Sequence, residues 1–284
     1  IFALVGESGS GKTILSLSLI NLLPEKAKIV GGEILFEGKN LINLREKDMT
    51  KIRGKKISMI FQEPMTALNP VLNIGEQIME TIRYHFHLNR NDAFYEMISL
   101  LKKVKFPEPE KRYKVYPHQL SGGMRQRVLI AIALAAKPKI LIADEPTTAL
   151  DVVTEREIIE LLLNLKEEMN LSLIFISHDI SLVSSIADKI GIMYAGQLIE
   201  IGEKENIINQ PKHPYTVALW DSLPAFWEKR KVKIKTIPGT VPNLLNLPSG
   251  CVFHPRCLMK KEICSFKEPP SREINDQIVK CWLY

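Results

Sequence analysis

One stretch of eight residues constrains this chain more than any other. Residues 6–13 read Gly-Glu-Ser-Gly-Ser-Gly-Lys-Thr, a complete phosphate-loop motif between an apolar segment and a segment of helical spacing. The glycines let the backbone turn so that successive N–H groups face an anion, and the following helix adds its positive end. We therefore expect nucleotide phosphates and Mg²⁺ to be bound by Gly6, Glu7, Ser8, Gly9, Ser10, Gly11, Lys12 and Thr13.

A pair of carboxylates follows a second apolar segment. Residues 140–143 are Ile-Leu-Ile-Ala, and Asp144 and Glu145 come directly after them. This pattern predicts a buried strand, and open α/β sheets bind ligands at the carboxyl ends of their strands. We expect Asp144 to hold hydrated Mg²⁺ and Glu145 to polarise the water that attacks the γ-phosphate. Without the phosphate loop, a solvated strand end would explain the pair equally well.

The order of the predicted elements indicates an α/β fold. Strand-like segments at 57–61, 139–143, 171–176 and 189–194 alternate with segments of helical spacing. Such alternation is typical of a parallel sheet covered on both faces, with 189–194 as its last core strand. After about Asn209 the chain contains nine prolines. They predict a loop-rich appendage rather than more of the sheet.

Composition excludes several other classes of protein. The 284 residues are 45% hydrophobic and 25% charged, which is ordinary for a globular protein and not for a disordered chain or a coiled coil. The longest apolar run, Val128–Ala136, has nine residues, whereas a membrane-spanning helix needs about 20. The net charge of +6 suits an anionic ligand but is too small and too dispersed to indicate nucleic-acid binding.

A third motif points to one family. Residues 120–126 read Leu-Ser-Gly-Gly-Met-Arg-Gln, which resembles the signature motif of ATP-binding-cassette (ABC) ATPases. The resemblance implies a phosphate-loop (RecA-like) core with a helical signature subdomain, acting on ATP with Mg²⁺. It also implies that Ser121, Gly122 and Gly123 face the ATP of a partner subunit, so that ATP joins two cassettes head to tail. A helix start suits this role because its N–H groups attract anions.

Further markers of that family occur in order along the chain. Gln62 resembles the loop glutamine that senses the γ-phosphate, contacts the membrane partner and joins Thr13 and Asp144 as a Mg²⁺ ligand. Residues 149–151, Ala-Leu-Asp, resemble the loop that crosses the dimer seam. His178 resembles the switch histidine at the γ-phosphate, although a single histidine after a strand is more often structural. The implied catalytic residues are Glu145, His178 and Gln62.

The resemblance also divides the chain. Residues 1–73 and 138–208 correspond to the two parts of the nucleotide-binding core, 74–137 to the helical signature subdomain, and 209–284 to a C-terminal extension with a cysteine cluster. Members of the family stack adenine on an aromatic residue before the phosphate loop, and this sequence begins at Ile1, after that point. We expect further core strands upstream.

Two segments resemble one branch of the family. Residues 61–70, Phe-Gln-Glu-Pro-Met-Thr-Ala-Leu-Asn-Pro, and the Met in the signature look like the D-type subunit of oligopeptide and dipeptide importers. His-Pro-Tyr-Thr at 213–216 and the segment 250–257 resemble that subfamily's extension, which also occurs in nickel importers. The resemblance implies two membrane permeases, an F-type partner cassette, an extracellular solute-binding protein acting indirectly, and a peripheral location on the cytoplasmic face of the cell membrane.

A cassette that acts on DNA or ribosomes is the alternative. The DNA-repair versions insert a long coiled coil before the signature, and no sustained heptads occur between Gln62 and Ser121. The ribosomal versions carry two cassettes, and this sequence contains one phosphate loop. The basic stretch Lys229–Lys235 is the best feature for nucleic acid, but its alternation favours the solvated face of an edge strand.

All four cysteines lie in the last 34 residues, with the spacing Cys251-x5-Cys257-x6-Cys264-x16-Cys281. The short Cys-x2–4-Cys pair typical of structural zinc sites is absent from this sequence, and disulfides are unexpected in a reducing compartment. Some D-type subunits carry a [4Fe–4S] cluster on a similar tail, so the resemblance implies that these thiols bind such a cluster. Zinc, or four unrelated thiols without a metal, are the alternatives.

Overall fold

Ten strands occur in the part of the chain that the computed structural model describes, residues 1–222 and 237–284 without the side chains of Pro64 and Met65. The basic stretch Lys229–Lys235 and its predicted edge strand lie outside these residues. In chain order the strands are β1 (Phe2–Val5), β2 (Leu35–Phe36), β3 (Lys39–Asn40), β4 (Ile57–Ile60), β5 (Ile140–Asp144), β6 (Ser172–Ser177), β7 (Lys189–Tyr194), β8 (Gln197–Glu203), β9 (Ser271–Ile274) and β10 (Gln277–Lys280).

Eleven α-helices accompany these strands in the same described residues. They are α1 (Lys12–Leu19), α2 (Glu46–Met49), α3 (Pro64–Ala67), α4 (Ile74–Phe86), α5 (Arg90–Lys103), α6 (Pro109–Arg112), α7 (Gly122–Leu134), α8 (Val152–Met169), α9 (Ile180–Ile186), α10 (Lys204–Asn209) and α11 (Pro214–Asp221). None of the described helices is long and apolar enough to cross a membrane.

The chain forms two compact units. The first consists of Ile1–Leu15 and Phe175–Tyr284, and the second of Ser16–Ile174. The predicted boundaries at residues 73, 137 and 208 stay predictions.

In the first unit, a sheet carries the phosphate loop. Strand β1 pairs in parallel with β7, with Val5 opposite Ile192, and residues 175–177 at the end of β6 lie on the other side of β1. Strand β7 then pairs antiparallel with β8 through a two-residue turn at Ala195 and Gly196. The prediction that residues 189–194 form the last core strand is therefore wrong.

The C-terminal extension also adds strands to this sheet. Strand β10 pairs antiparallel with β8, and β9 pairs antiparallel with β10. The prediction of an appendage outside the sheet is thus wrong, although the rest of the extension is loop-rich with two short 3-10 turns. The reason is local: Gln277 and Val279 alternate with more exposed residues and are buried, and Asn275 and Asp276 take the left-handed backbone that a two-residue hairpin turn requires.

In the second unit, β4 and β5 form a parallel pair, with Ile60 opposite Ala143. Strands β2 and β3 form an antiparallel hairpin, with Leu35 opposite Asn40. Residues 74–103 contain two helices, α4 and α5, separated by a short break. The break falls at His87, whose φ of 55° ends α4, and Asn89 then caps α5 by accepting a hydrogen bond from the Asp92 N–H at 2.9 Å.

Side-chain caps fix the starts of the helices that carry the motifs. Ser121 caps α7, Asp151 caps α8 and Asp179 caps α9, each by accepting a hydrogen bond from a backbone N–H of the first turn. Exchanging such a cap for alanine costs about 1 kcal/mol. The residues that carry the signature, the seam loop and the region after His178 therefore also begin helices.

Candidate functional site

The phosphate loop lies between β1 and α1 in the first unit, and its glycines are required by their surroundings. A Cβ on Gly6 would lie 2.1 Å from the carbonyl oxygen of Met193, so no other residue fits there. Gly9 and Gly11 have φ angles of 77° and 98°, which favour glycine. The Gly196 N–H donates to the Ser10 carbonyl at 2.8 Å and ties the loop to the β7–β8 turn.

The lysine of the motif is bound to its own loop. Lys12 is 5% exposed, and its Nζ donates to the carbonyl oxygens of Gly6 at 2.8 Å and Glu7 at 3.1 Å. Thr13 is exposed at the start of α1. A buried ammonium held on a ring of backbone groups is a suitable partner for phosphate oxygens.

The same unit contains the predicted switch histidine. His178 is exposed and directly follows β6, whose last residues lie beside β1. The Asp179 N–H donates to the Ser177 Oγ at 2.9 Å, and the Asp179 carboxylate accepts from the Leu182 N–H at 3.0 Å. These bonds fix the backbone on which His178 sits and leave its ring on the surface.

The second unit brings together two of the predicted catalytic residues. Gln62 follows β4, and Glu145 follows β5, in which Asp144 is 1% exposed. The Nε2 of Gln62 donates to Oε2 of Glu145 at 3.0 Å, and the Thr148 hydroxyl donates to the same oxygen at 3.0 Å. Glu145 has a φ of 45°, a conformation that costs of order 1–3 kcal/mol in a residue with a side chain and is concentrated at functional sites.

The signature motif begins α7 in the same unit. The Ser121 Oγ accepts from the Met124 N–H at 3.4 Å, and Ser121 and Gly122 are exposed. A Cβ on Gly123 would lie 2.5 Å from Cγ2 of Thr154, which leaves no room for a larger residue. A Cβ on Gly122 would lie 3.1 Å from Cδ2 of Leu150.

The seam loop is therefore packed against the signature. The hydroxyl of Thr154 donates to the Asp151 carboxylate at 2.7 Å, and the Thr154 N–H donates to it at 3.0 Å. These bonds, with that from Val153, lower the pKa of Asp151. The contact between the two motifs could not be predicted from sequence, because Thr154 belongs to neither motif. Two adjacent glycines at a helix start were the only signal of a close neighbour.

A Mg²⁺ ion has suitable donors among the predicted ligands. A threonine hydroxyl, a glutamine carbonyl and a buried carboxylate are all oxygen donors, the type that Mg²⁺ prefers. Thr13 belongs to the first unit, and Gln62 and Asp144 to the second.

The cysteines of the extension do not form the expected ligand set. Cys251, Cys264 and Cys281 are buried, Cys257 is half-buried, and none forms a disulfide. Burial, together with the neighbouring thiols, raises the pKa of Cys251 and Cys257 and raises that of Cys281 to about 11. Within residues 1–222 and 237–284, no group of three or more His, Cys, Asp or Glu side chains is arranged to hold a metal ion.

The extension makes contacts with the phosphate loop that sequence reasoning missed. The Tyr215 hydroxyl accepts from the Glu7 N–H at 3.1 Å, and Arg256 pairs with the Glu7 carboxylate at 3.1 Å. Both residues lie in segments that resemble the importer branch, but partners more than 200 residues away leave no mark in the local sequence.

Comparison with known proteins agrees with this geometry. Residues 1–148 match the ABC transporter family, and residues 199–264 match the family described as the oligopeptide/dipeptide transporter, C-terminal region. The oligopeptide transport ATP-binding protein OppD of Haemophilus influenzae is 47% identical over 99% of this chain and 86% of its own. The dipeptide transport ATP-binding protein DppD of Bacillus subtilis is 46% identical over 99% of this chain and 84% of its own.

Solved structures give the same assignment of fold. A dimeric ATP-binding cassette in a post-hydrolysis state bound to ADP and Pi aligns with a TM-score of 0.63 at 30% identity, over 72% of this chain and 85% of that one. CbiO1 of Clostridium perfringens is part of the ABC transporter complex CbiONQ. It aligns with a TM-score of 0.65 at 27% identity, over 81% of this chain and 87% of its own.

The predicted α/β phosphate-loop fold is confirmed, and the alternative of a cassette for DNA or ribosomes is not favoured. A cassette family matches residues 1–148 and a peptide-transporter extension matches residues 199–264 of the same chain. The chain therefore belongs to the ATP-binding proteins of the oligopeptide and dipeptide ABC transporter family.

Proposed function

We propose that this chain hydrolyses ATP to drive the import of peptides, or of a related solute such as nickel, through membrane permeases. The observation that carries the proposal is that one chain matches both the cassette and the peptide-transporter extension. In this proposal ATP binding closes two cassettes, and hydrolysis with product release reopens them and resets the permeases.

The residues of the site have separate roles in this proposal. Lys12 and the loop amides bind the phosphates, Glu145 orients the attacking water, and His178 contacts the γ-phosphate. Thr13, Gln62 and Asp144 would hold Mg²⁺, which would supply positive charge to neutralise the phosphates. The two hydrogen bonds that Oε2 of Glu145 accepts support its role, because a base that orients water must itself be oriented.

The experiment is ATP-dependent peptide uptake by vesicles that contain the chain and the membrane proteins that copurify with it. We expect uptake with the unchanged chain and with Lys26→Ala, an exposed lysine outside the motifs. Lys12→Ala is expected to abolish it. Full uptake with Lys12→Ala, or copurification without any membrane protein, would contradict the proposal.

The partners and the location follow from the same proposal. We propose two permease subunits, an F-type cassette as the second ATPase, a solute-binding protein outside the cell, and attachment to the cytoplasmic face of the membrane. The ATP-binding relatives support the permeases and the location, and the Met124-containing signature supports the F-type partner. A fully active transporter that contains two copies of this chain and no other cassette would disprove the heterodimer.

We also propose that the four cysteines bind one metal centre, a [4Fe–4S] cluster or zinc. Four free thiols in one extension support it, whereas their arrangement among the described residues does not, so the side chains would have to reorient. Anaerobically purified protein would be brown with about four irons per chain for the cluster, or colourless with one zinc. Metal-free protein would reject both, and unchanged iron in Cys257→Ser would reject that ligand.

A further inference from the structure

Every polar group of Glu7 has a partner in the first unit. Its N–H donates to the Tyr215 hydroxyl, its carbonyl oxygen accepts from Lys12 Nζ, and its carboxylate pairs with Arg256. Glu7 is thus bonded both to the lysine of the phosphate loop and to two residues of the C-terminal extension. It is the one acidic residue of the loop that residues 6–13 form.

Neighbouring groups hold the side chain of Arg256 in this position. Its side chain is 7% exposed, and Nη1 lies 3.1 and 3.2 Å from the two carboxylate oxygens of Glu7 and 3.2 Å from the Tyr194 hydroxyl. Nε donates to the Pro238 carbonyl at 2.7 Å, and the guanidinium lies over the Tyr194 ring. These partners fix the position of the buried guanidinium, because any movement away from them would leave buried N–H donors without acceptors.

The aromatic residues around Arg256 fix the extension against the loop. The rings of Tyr194 and Tyr215 lie 4.6 Å apart, and Phe253 packs against both, with ring centres 5.2 and 5.3 Å away. Tyr215 and Phe253 belong to the two extension segments, whereas Tyr194 ends β7. The cluster therefore places Arg256 relative to the loop rather than leaving it on a mobile tail.

We propose that Arg256 is a positioning residue for nucleotide binding, which neutralises Glu7 and keeps that carboxylate from repelling the phosphates of ATP. The proposal rests on binding of ATP by the phosphate loop and not on the identity of the transported solute. ATP carries several negative charges, and a carboxylate in the loop that binds them opposes that binding unless a cation compensates it. At an effective dielectric constant of about 20, the repulsion between two unit charges about 7 Å apart corresponds in general to about tenfold or more in affinity.

Charge compensation and simple bracing predict opposite results for one substitution. If Arg256 compensates charge, Glu7→Gln removes the repulsion and leaves a cation, so ATP binds more tightly. If the pair only braces the loop, Glu7→Gln breaks the same pair that Arg256→Met breaks, and both substitutions weaken binding alike. The sign of the Glu7→Gln effect therefore separates the two roles.

The experiment is calorimetric titration of the full chain with ATP and Mg²⁺. We expect Arg256→Met to weaken ATP binding about tenfold, Glu7→Gln to strengthen it about threefold, and the double variant to return to within about threefold of the unchanged chain. The Arg256→Met deficit is expected to shrink at about 0.5 M salt, because screening acts on charge and not on packing. Lys280→Met, which breaks an ion pair with Glu268 in the same extension, is the matched control and is expected to bind ATP normally.

Arg256→Lys is a second variant, needed in case Arg256→Met does not fold. It keeps the positive charge but loses the planar guanidinium, so we expect ATP binding to be clearly tighter than in Arg256→Met and weaker than in the unchanged chain. Weaker binding by Glu7→Gln, or a double variant as weak as Arg256→Met, would overturn the proposal. Failure of the unchanged chain to bind ATP would instead contradict the assigned ATP site, so the two failures are distinguishable.

Discussion

The Nε2 of Gln62 donates a hydrogen bond of 3.0 Å to Oε2 of Glu145, although 83 residues separate the two in the chain. The contact follows from the parallel pairing of β4 and β5, in which Ile60 lies opposite Ala143, so that the residues after both strands meet at one edge. Thr148 donates to the same oxygen. Glu145 is thus held by two donors on one carboxylate oxygen.

Substitution of Gln62 by leucine tests the importance of this orientation. Leucine has a similar volume but cannot donate, so we expect ATP turnover to fall about tenfold or more, within the range that positioned acid–base groups contribute. The measurement is steady-state release of phosphate at saturating ATP. Thr148→Val, which removes the second donor, is expected to lower turnover less, and Thr148→Ser to preserve it. A Gln62→Leu variant with normal turnover would show that the hydrogen bond has no catalytic role.

The packing of the signature against the seam loop can be tested with a compensating second substitution. Gly123→Ala places a Cβ 2.5 Å from Cγ2 of Thr154, and such overpacking costs about 1–3 kcal/mol in the free energy of unfolding. Thr154→Ser removes that methyl group and keeps the hydroxyl that donates to Asp151. We therefore expect the double variant to recover most of the lost stability in urea unfolding. No recovery would mean that another contact excludes the alanine.

His213 makes the extension sensitive to acid. It caps α11 by accepting from the Tyr215 N–H at 3.0 Å, and burial lowers its pKa to about 3. Between that value and about 6.5 the unfolded chain binds a proton that the folded chain does not, so stability falls as the pH falls through this window. From pH 7 to pH 5 the loss attributable to His213 is about 2 kcal/mol.

The matched variant for this effect is His213→Asn. Asparagine can cap the helix but does not titrate, so we expect its free energy of unfolding to fall by about 2 kcal/mol less than that of the unchanged chain between pH 7 and pH 5. Burial raises the pKa of Glu200, which accepts from the backbone N–H of His213 and acts with the opposite sign, but it is present in both proteins. Identical pH dependence in both would contradict a neutral buried His213.

Much of the fold could be predicted from sequence because its signals are local. The strand, glycine loop and helix of residues 2–19 and the capped start of α7 each depend on neighbouring residues, and the structure contains them. Strands β9 and β10 were missed because four residues of alternation are a weak signal among prolines. The break at His87 between α4 and α5 is hard to predict because helical spacing continues on both sides of it.

The contacts that position the site were harder to predict. Arg256 needs a buried acidic partner, yet nothing in its own segment indicates that the partner is Glu7, 249 positions away. Thr154 likewise lies outside every motif, and only the pairing of α8 with the start of α7 reveals its contact with Gly123. Motifs thus predict which groups bind the nucleotide, whereas tertiary packing determines which residues hold those groups.

The most direct test of the account is the rate of ATP hydrolysis by Glu145→Gln. If Glu145 orients the attacking water, steady-state turnover falls by at least about 100-fold while ATP binding persists and ATP stabilises the closed dimer. Glu160→Gln, an exposed glutamate on α8 paired with Arg156, serves as the control and is expected to keep normal turnover. Unchanged turnover in Glu145→Gln would contradict the assignment of this chain as an ATPase that uses Glu145.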